Sequence, residues 1–154
     1  MSKEVVFYHL TSSPLEKSLP ALLFKIYESG KRVLLVCKSE QQMREMNDIL
    51  WTFSTKRFIP HGSIEDEHVE MQPVLLATDI NELRNKPEIT ILLSDVNIED
   101  NNNFSKYIYM FYGNDLDSEV TKTKNLYNLY RKLGYNTKYW VLDMSGKWAE
   151  MNEL

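Results

Sequence analysis

Short apolar runs separated by helical patterns constrain this chain more than any other feature. Val5–Leu10 and Val33–Cys37 are apolar stretches of strand length, and the second is unbroken. Successive strand side chains point to opposite faces, so an unbroken apolar strand has no wet face and belongs in a parallel sheet covered on both sides. Between the runs lies a helix signal. Ser13 is placed to cap free backbone amides, Pro14 suits the first helical position, and Glu16 closes a capping box. Leu15, Leu19, Leu22, Leu23 and Ile26 then recur at helical spacing, and Gly30 is placed to end the helix. Ser39 with Gln42 repeats the cap before Met43, Met46 and Leu50, which makes the unit β-α-β-α.

Further strands are predicted at Val74–Ala77, Thr90–Leu93, Tyr107–Phe111 and Lys138–Leu142, with a helix over 118–133 ending at Gly134. Residues 62–73 carry four acids and no clear period, which reads as a solvated loop, and Asn97–Asn103 is similarly polar. The expected architecture is α/β, a mostly parallel open sheet with helices on both faces. No repeat, low-complexity tract or linker divides the chain, so residues 1–154 are expected to form a single domain with an extension at 143–154. Two readings of Gly146-Lys147-Trp148 stay open: folding back on the domain, or a separate contact.

At 154 residues and 43% hydrophobic content, a sizeable core is affordable for one domain. A net charge of -4 argues against generic duplex binding, which needs a broad basic surface. Cys37 is alone, which excludes an internal disulfide and a Cys-Cys metal pair. The start Met-Ser-Lys-Glu-Val-Val lacks a secretory pattern, and no apolar run approaches the roughly 20 residues that span a bilayer. A soluble, cytoplasmic protein is expected, with no membrane partner.

Catalysis is not indicated. The first strand-to-helix connection, His9-Leu-Thr-Ser-Ser-Pro-Leu15, contains no glycine, so its backbone cannot form a close phosphate cradle. The five glycines, at 30, 62, 113, 134 and 146, offer none elsewhere. Asp95 after an apolar strand could be read as a magnesium ligand, but a strand-terminal Asp is commonly a turn or cap residue. His9, His61 and His68 are too scattered for metal ligation, and His61 reads as a hydrogen-bonding loop residue. No catalytic residue, metal or cofactor is expected. The competing reading is a small enzyme or nucleotide-sensing domain with an atypical phosphate site.

Two patches point to binding. On a helix over 118–133, Leu126, Leu129 and Leu133 gather on one side with Tyr130 at its edge, while Lys124, Tyr127 and Arg131 share the opposite side. That second face reads either as an ordinary wet face or as an anion site, two cations about one aromatic. The other patch is the segment Ile49–Gly62, which spends Trp51, Phe53 and Phe58 on a short connection that should be mostly polar. Aromatics there mark a contact, unless the rings turn inward as core.

Phe7-Tyr8-His9-Leu10, Gly30-Lys31-Arg32-Val33-Leu34, Leu50-Trp51 with Phe58-Ile59-Pro60-His61-Gly62, and Tyr127, Tyr130-Arg131, Gly134-Tyr135 with Tyr139-Trp140 together resemble the chi subunit family of bacterial DNA polymerase III. The resemblance covers nearly the whole chain. It implies a Rossmann-like fold without a nucleotide and a non-catalytic adaptor that links the clamp loader to single-stranded DNA-binding protein by gripping its acidic tail, which ends in Pro-Phe. The family's basic position on the last helix falls on Lys124, its following aromatic on Tyr127, and its pocket aromatics on Trp51 and Phe58. A further basic position falls on Asn128, so one expected cation is absent, which implies either a lower affinity or one carried by Arg131. The psi subunit is the other implied partner, and direct sequence-specific DNA binding is not expected.

Overall fold

The computed structural model describes residues 3–101 and 106–152. Its elements run in the order β1 (Glu4–Leu10), α1 (Leu15–Glu28), β2 (Val33–Val36), α2 (Glu40–Thr52), β3 (Gly62–Ser63), β4 (Val74–Ala77), β5 (Ile89–Leu92), β6 (Lys106–Tyr112), α3 (Ser118–Lys132), β7 (Asn136–Leu142) and β8 (Trp148–Met151). A 3-10 turn, Val69–Met71, precedes β4. The fold is α/β and Rossmann-like, with a mostly parallel open sheet, as the unbroken apolar runs require. Every residue of β2, β4 and β5 is buried, so both faces of these strands are covered.

The chain divides into two compact units, one of Met1–Leu15 with Leu92–Leu154 and the other of Glu16–Ile91. In the second, the strand order is β3-β4-β2-β5, with β2 and β3 both parallel to β4. α2 begins as its cap signal predicts: Ser39 stands in extended conformation and its Oγ accepts from Gln42 N–H at 3.1 Å. Met43, Met46 and Leu50 form its buried face. The expectation of a plain loop over 62–73 is corrected, because Gly62–Ser63 pairs with Leu75 and Leu76 and the 3-10 turn buries Val69. Arg32 ties this region together. Its Nε donates to Asn85 O at 2.5 Å and its Nη2 to Glu70 O and Gln72 O at 2.7 and 3.2 Å.

In the first unit the order is β6-β1-β7-β8. β1 pairs in parallel with β6 and β7, and β8 runs antiparallel to β7, with Leu142 opposite Trp148. The Trp148 ring meets Tyr8 edge-on at 5.1 Å, so the segment after the last predicted strand folds back as a hairpin. Of the polar stretch 97–103, residues 102 and 103 lie outside the described residues. Among the described residues no helix is long and apolar enough to cross a membrane.

Candidate partner-binding surfaces

Trp51 follows buried Leu50 at the end of α2, and one residue along a helix turns the side chain by roughly 100°, which carries this ring outward. Ser54 Oγ then accepts from Lys56 N–H and Arg57 N–H, both at 3.1 Å, and this turn brings Phe58 back against Trp51. The two rings sit 5.6 Å apart at 36°, and they remain 53% and 57% exposed. The reading of these rings as core is thereby excluded. Trp51 rests 4.5 Å from the ring of His61, which is buried and fixed by contacts from Nδ1 to Ile59 O at 2.7 Å and Nε2 to Asn47 O at 3.3 Å. His61 is thus a support for Trp51. Arg57, which the sequence reading did not single out, lays its guanidinium 5.1 Å from the centre of the Phe24 ring.

On α3 the buried residues are Val120, Thr123, Tyr127 and Tyr130, a stripe at helical spacing. The expected face is therefore corrected: Tyr127 points inward at 3% exposure, whereas Leu133 stands 45% exposed. Two rings decide this. Tyr127 packs edge-on against Phe7 at 5.6 Å and against Tyr139 at 5.4 Å, contacts that leucine side chains on the neighbouring stripe cannot replace. Lys124 and Arg131 flank it. Lys124 Nζ contacts Asp115 Oδ1 at 2.5 Å, while the Arg131 guanidinium lies 5.6 Å from the centre of the Tyr127 ring and donates to Asn152 O at 2.9 Å. Asn128 is exposed.

Beneath α3 the hydroxyls of buried tyrosines form a directed chain. Ile98 N–H donates to Tyr130 Oη at 3.0 Å, Tyr130 lies 2.8 Å from Tyr109 Oη, and Tyr109 donates to Val96 O. A carbonyl only accepts, so the Tyr130 proton points to Tyr109. Burial raises the pKa of Tyr109 well above that of free tyrosine. At the carboxyl ends of β1 and β6, His9 Nε2–H donates to Gly113 O at 2.7 Å, which leaves Nδ1 to accept from Tyr139 Oη at 2.8 Å. The His9 ring stacks on Phe111 at 4.7 Å. Burial, opposed by the Gly113 hydrogen bond and aided by the Lys124 charge, lowers the His9 pKa. Gly113 has φ +147°, and a Cβ there would meet the Asp117 carboxylate, so only glycine fits.

These strand ends are filled by the protein's own side chains, and Asp95 stands exposed on the surface. Cys37 is buried, with its thiol pushed up to about 12, and is unreactive. Among the described residues no three His, Cys, Asp or Glu gather as a metal site.

Fold and surface define a Rossmann-like α/β protein whose first strand-to-helix connection lacks glycine and whose surface carries the exposed Trp51–Phe58 pair. Residues 1–138 match the family described as DNA polymerase III chi subunit, HolC, and the chain belongs to that family. It is 30% identical over 104 residues to the probable DNA polymerase III subunit chi of Rickettsia prowazekii, covering 68% of this chain and 62% of that protein. It is 37% identical over 65 residues to the DNA polymerase III subunit chi of Haemophilus influenzae, covering 40% and 45%. To that of Escherichia coli it is 23% identical over 141 residues, covering 87% and 95%. The first two matches span less than two thirds of the relatives' length.

Proposed function

We propose that the chain is a non-catalytic, soluble cytoplasmic adaptor that links the DNA polymerase III clamp loader to single-stranded DNA-binding protein by gripping that protein's acidic C-terminal tail. The observation that carries the reading is the Trp51–Phe58 pair, two large rings held against each other and more than half exposed. Exposed aromatic anchors are the usual energetic centres of protein contacts. They suit the terminal Phe of a tail ending in Pro-Phe. Lys124 and Arg131 suit its carboxylates, with Tyr127 as the ring beside which Arg131 lies. The psi subunit, where present, is the partner on the clamp-loader side.

Calorimetric titration with an acidic peptide ending in Pro-Phe tests this. Affinity should fall as salt rises, because exposed charges are screened. Each patch is tested separately. Lys124→Ala or Arg131→Ala should cost up to roughly 1.5–3 kcal/mol of binding where a charged hydrogen bond is lost, and less where solvent screens it. Trp51→Ala or Phe58→Ala should lose part of the roughly 1.5–3 kcal/mol that burying one such side chain provides. An affinity unaltered by Lys124→Ala with Arg131→Ala removes the helix face from the site, and one unaltered by either ring variant removes the aromatic pair.

A further inference from the structure

Lys124 is already occupied. Its Nζ lies 2.5 Å from Asp115 Oδ1, on the loop between β6 and α3, and its side chain is 26% exposed against 77% for Asp115. The loop is shaped by other groups. Asn114 N–H donates to Asp117 Oδ2 at 2.9 Å, Leu116 N–H to Asn114 Oδ1 at 2.8 Å, and Asp117 N–H to Asn114 O at 3.1 Å. Asp115 therefore extends from the loop as a side chain spent on Lys124. Its neighbour Leu116 is 94% exposed. The stretch Asp115-Leu116-Asp117 thus offers carboxylates about one apolar side chain, the chemistry of an acidic peptide, and it places a carboxylate on the cation assigned above to the partner's tail.

We infer that Asp115 is an internal competitor for Lys124, which a ligand carboxylate must displace before it can bind there. The inference rests on the acidic-tail reading of α3. Lys124 keeps its ammonium charge paired in the free protein, and the ammonium in turn holds the Asp115 carboxyl below the usual carboxylate range. Binding then exchanges one carboxylate for another. The net Coulombic gain at Lys124 is small, and a ligand that brings no anionic group to this position cannot make the exchange at all. Asp115 therefore acts as a specificity-determining residue, favouring ligands that carry an anionic group over neutral ones at the expense of affinity.

The test is calorimetric titration of the full chain at low salt with a synthetic acidic peptide ending in Pro-Phe. Asp115→Asn should bind about two- to fivefold tighter, the range set by releasing one partly exposed ion pair. Asp115→Ser should do the same, which guards against an effect peculiar to the amide. Glu119→Gln, which removes a charge from the first turn of α3, should gain less. In a Lys124→Met background the Asp115→Asn gain should vanish. Binding by the parent chain with equal gains from Asp115→Asn and Glu119→Gln, or a gain that survives Lys124→Met, overturns the competitor and leaves the tail reading standing. Absence of binding in the parent and in every variant overturns both.

Discussion

The two units share an α/β plan and fill it with opposite chemistry. The unit built on β1, β6 and β7 buries Phe7, Tyr107, Tyr109, Phe111, Tyr127, Tyr130 and Tyr139. The unit of Glu16–Ile91 is packed with aliphatic side chains such as Leu19, Leu23, Leu34, Leu35, Leu50, Leu75 and Leu76, and buries none of Phe24, Tyr27, Trp51, Phe53 or Phe58. A parallel sheet thus leaves the choice of core open. Rings in the interior bring hydroxyls with them, and each hydroxyl then needs a partner, which is why the tyrosine chain exists. An aliphatic interior makes no such demand. Its rings are left for the surface, where two of them form a contact pair. Buried side-chain polar atoms without a partner, Asn47 Oδ1, Asn85 Oδ1 and Thr90 Oγ1, all fall in the aliphatic unit among the described residues.

The strongest way to break this contrast is Phe7→Ala. Phe7 stacks on Tyr109 at 4.7 Å and meets Tyr127, Tyr130 and Tyr139 within 6.2 Å, so its loss should cost about 3–5 kcal/mol of unfolding free energy in urea titration. A cost near that of a surface change would mean the rings are not the centre of that unit. Next comes Tyr109→Phe, which keeps the ring and deprives Val96 O and the Tyr130 hydroxyl of their partner. It should cost about 1–3 kcal/mol. Coupling with Tyr130→Phe, read from a double-mutant cycle, distinguishes a connected chain from separate bonds.

Trp51→Ala sharpens the other side. A ring more than half exposed should cost no more than about 1 kcal/mol of stability, even while peptide affinity drops. A loss of several kcal/mol would make it a core residue after all. The smallest expected effect is a pH dependence from His9. Its folded pKa lies below the unfolded value of about 6.5, so between the two the unfolded chain holds more protons. The His9 contribution is complete above about pH 6.5, declines as pH falls toward the folded value, and levels off below it. Thermal midpoints measured across that window should show this decline, and His9→Gln should abolish it.

Much of the fold was legible because each signal was local. The apolar run at Val5–Leu10 and the Ser39–Gln42 cap sit within a few residues of the elements they specify, and β1 and α2 stand where they predict. β3 has two residues, too few to carry a period. β8 is exposed along its whole length, and it is set by pairing with β7 and by the Trp148–Tyr8 contact, neither of which shows as a period in its own residues. The α3 face was misread because leucines were weighted over tyrosines, although the interior awaiting this helix is aromatic. Phe58 lies on the short connection that the sequence marked, but Trp51 falls inside α2, and only its place one residue after buried Leu50 turns it outward, so the sequence left contact and core both open for it. Contact between Asp115 and Lys124 could not be anticipated, because it joins a loop tip to a helix face through a turn that only the folded backbone defines.

Arg32 has a consequence for conditions rather than contacts. Its guanidinium donors are directed to main-chain carbonyls of Glu70, Gln72 and Asn85, and carbonyl oxygens bind no proton across the range where carboxylic acids titrate. Arg44, by contrast, is tied to Glu65 at 2.8 Å. Arg44 holds the Glu65 carboxyl below the usual carboxylate range, so only strong acid loosens the second tie, and it spares the first: an acid-stressed chain keeps the approaches to β4 and β5 gathered while this surface ion pair lets go.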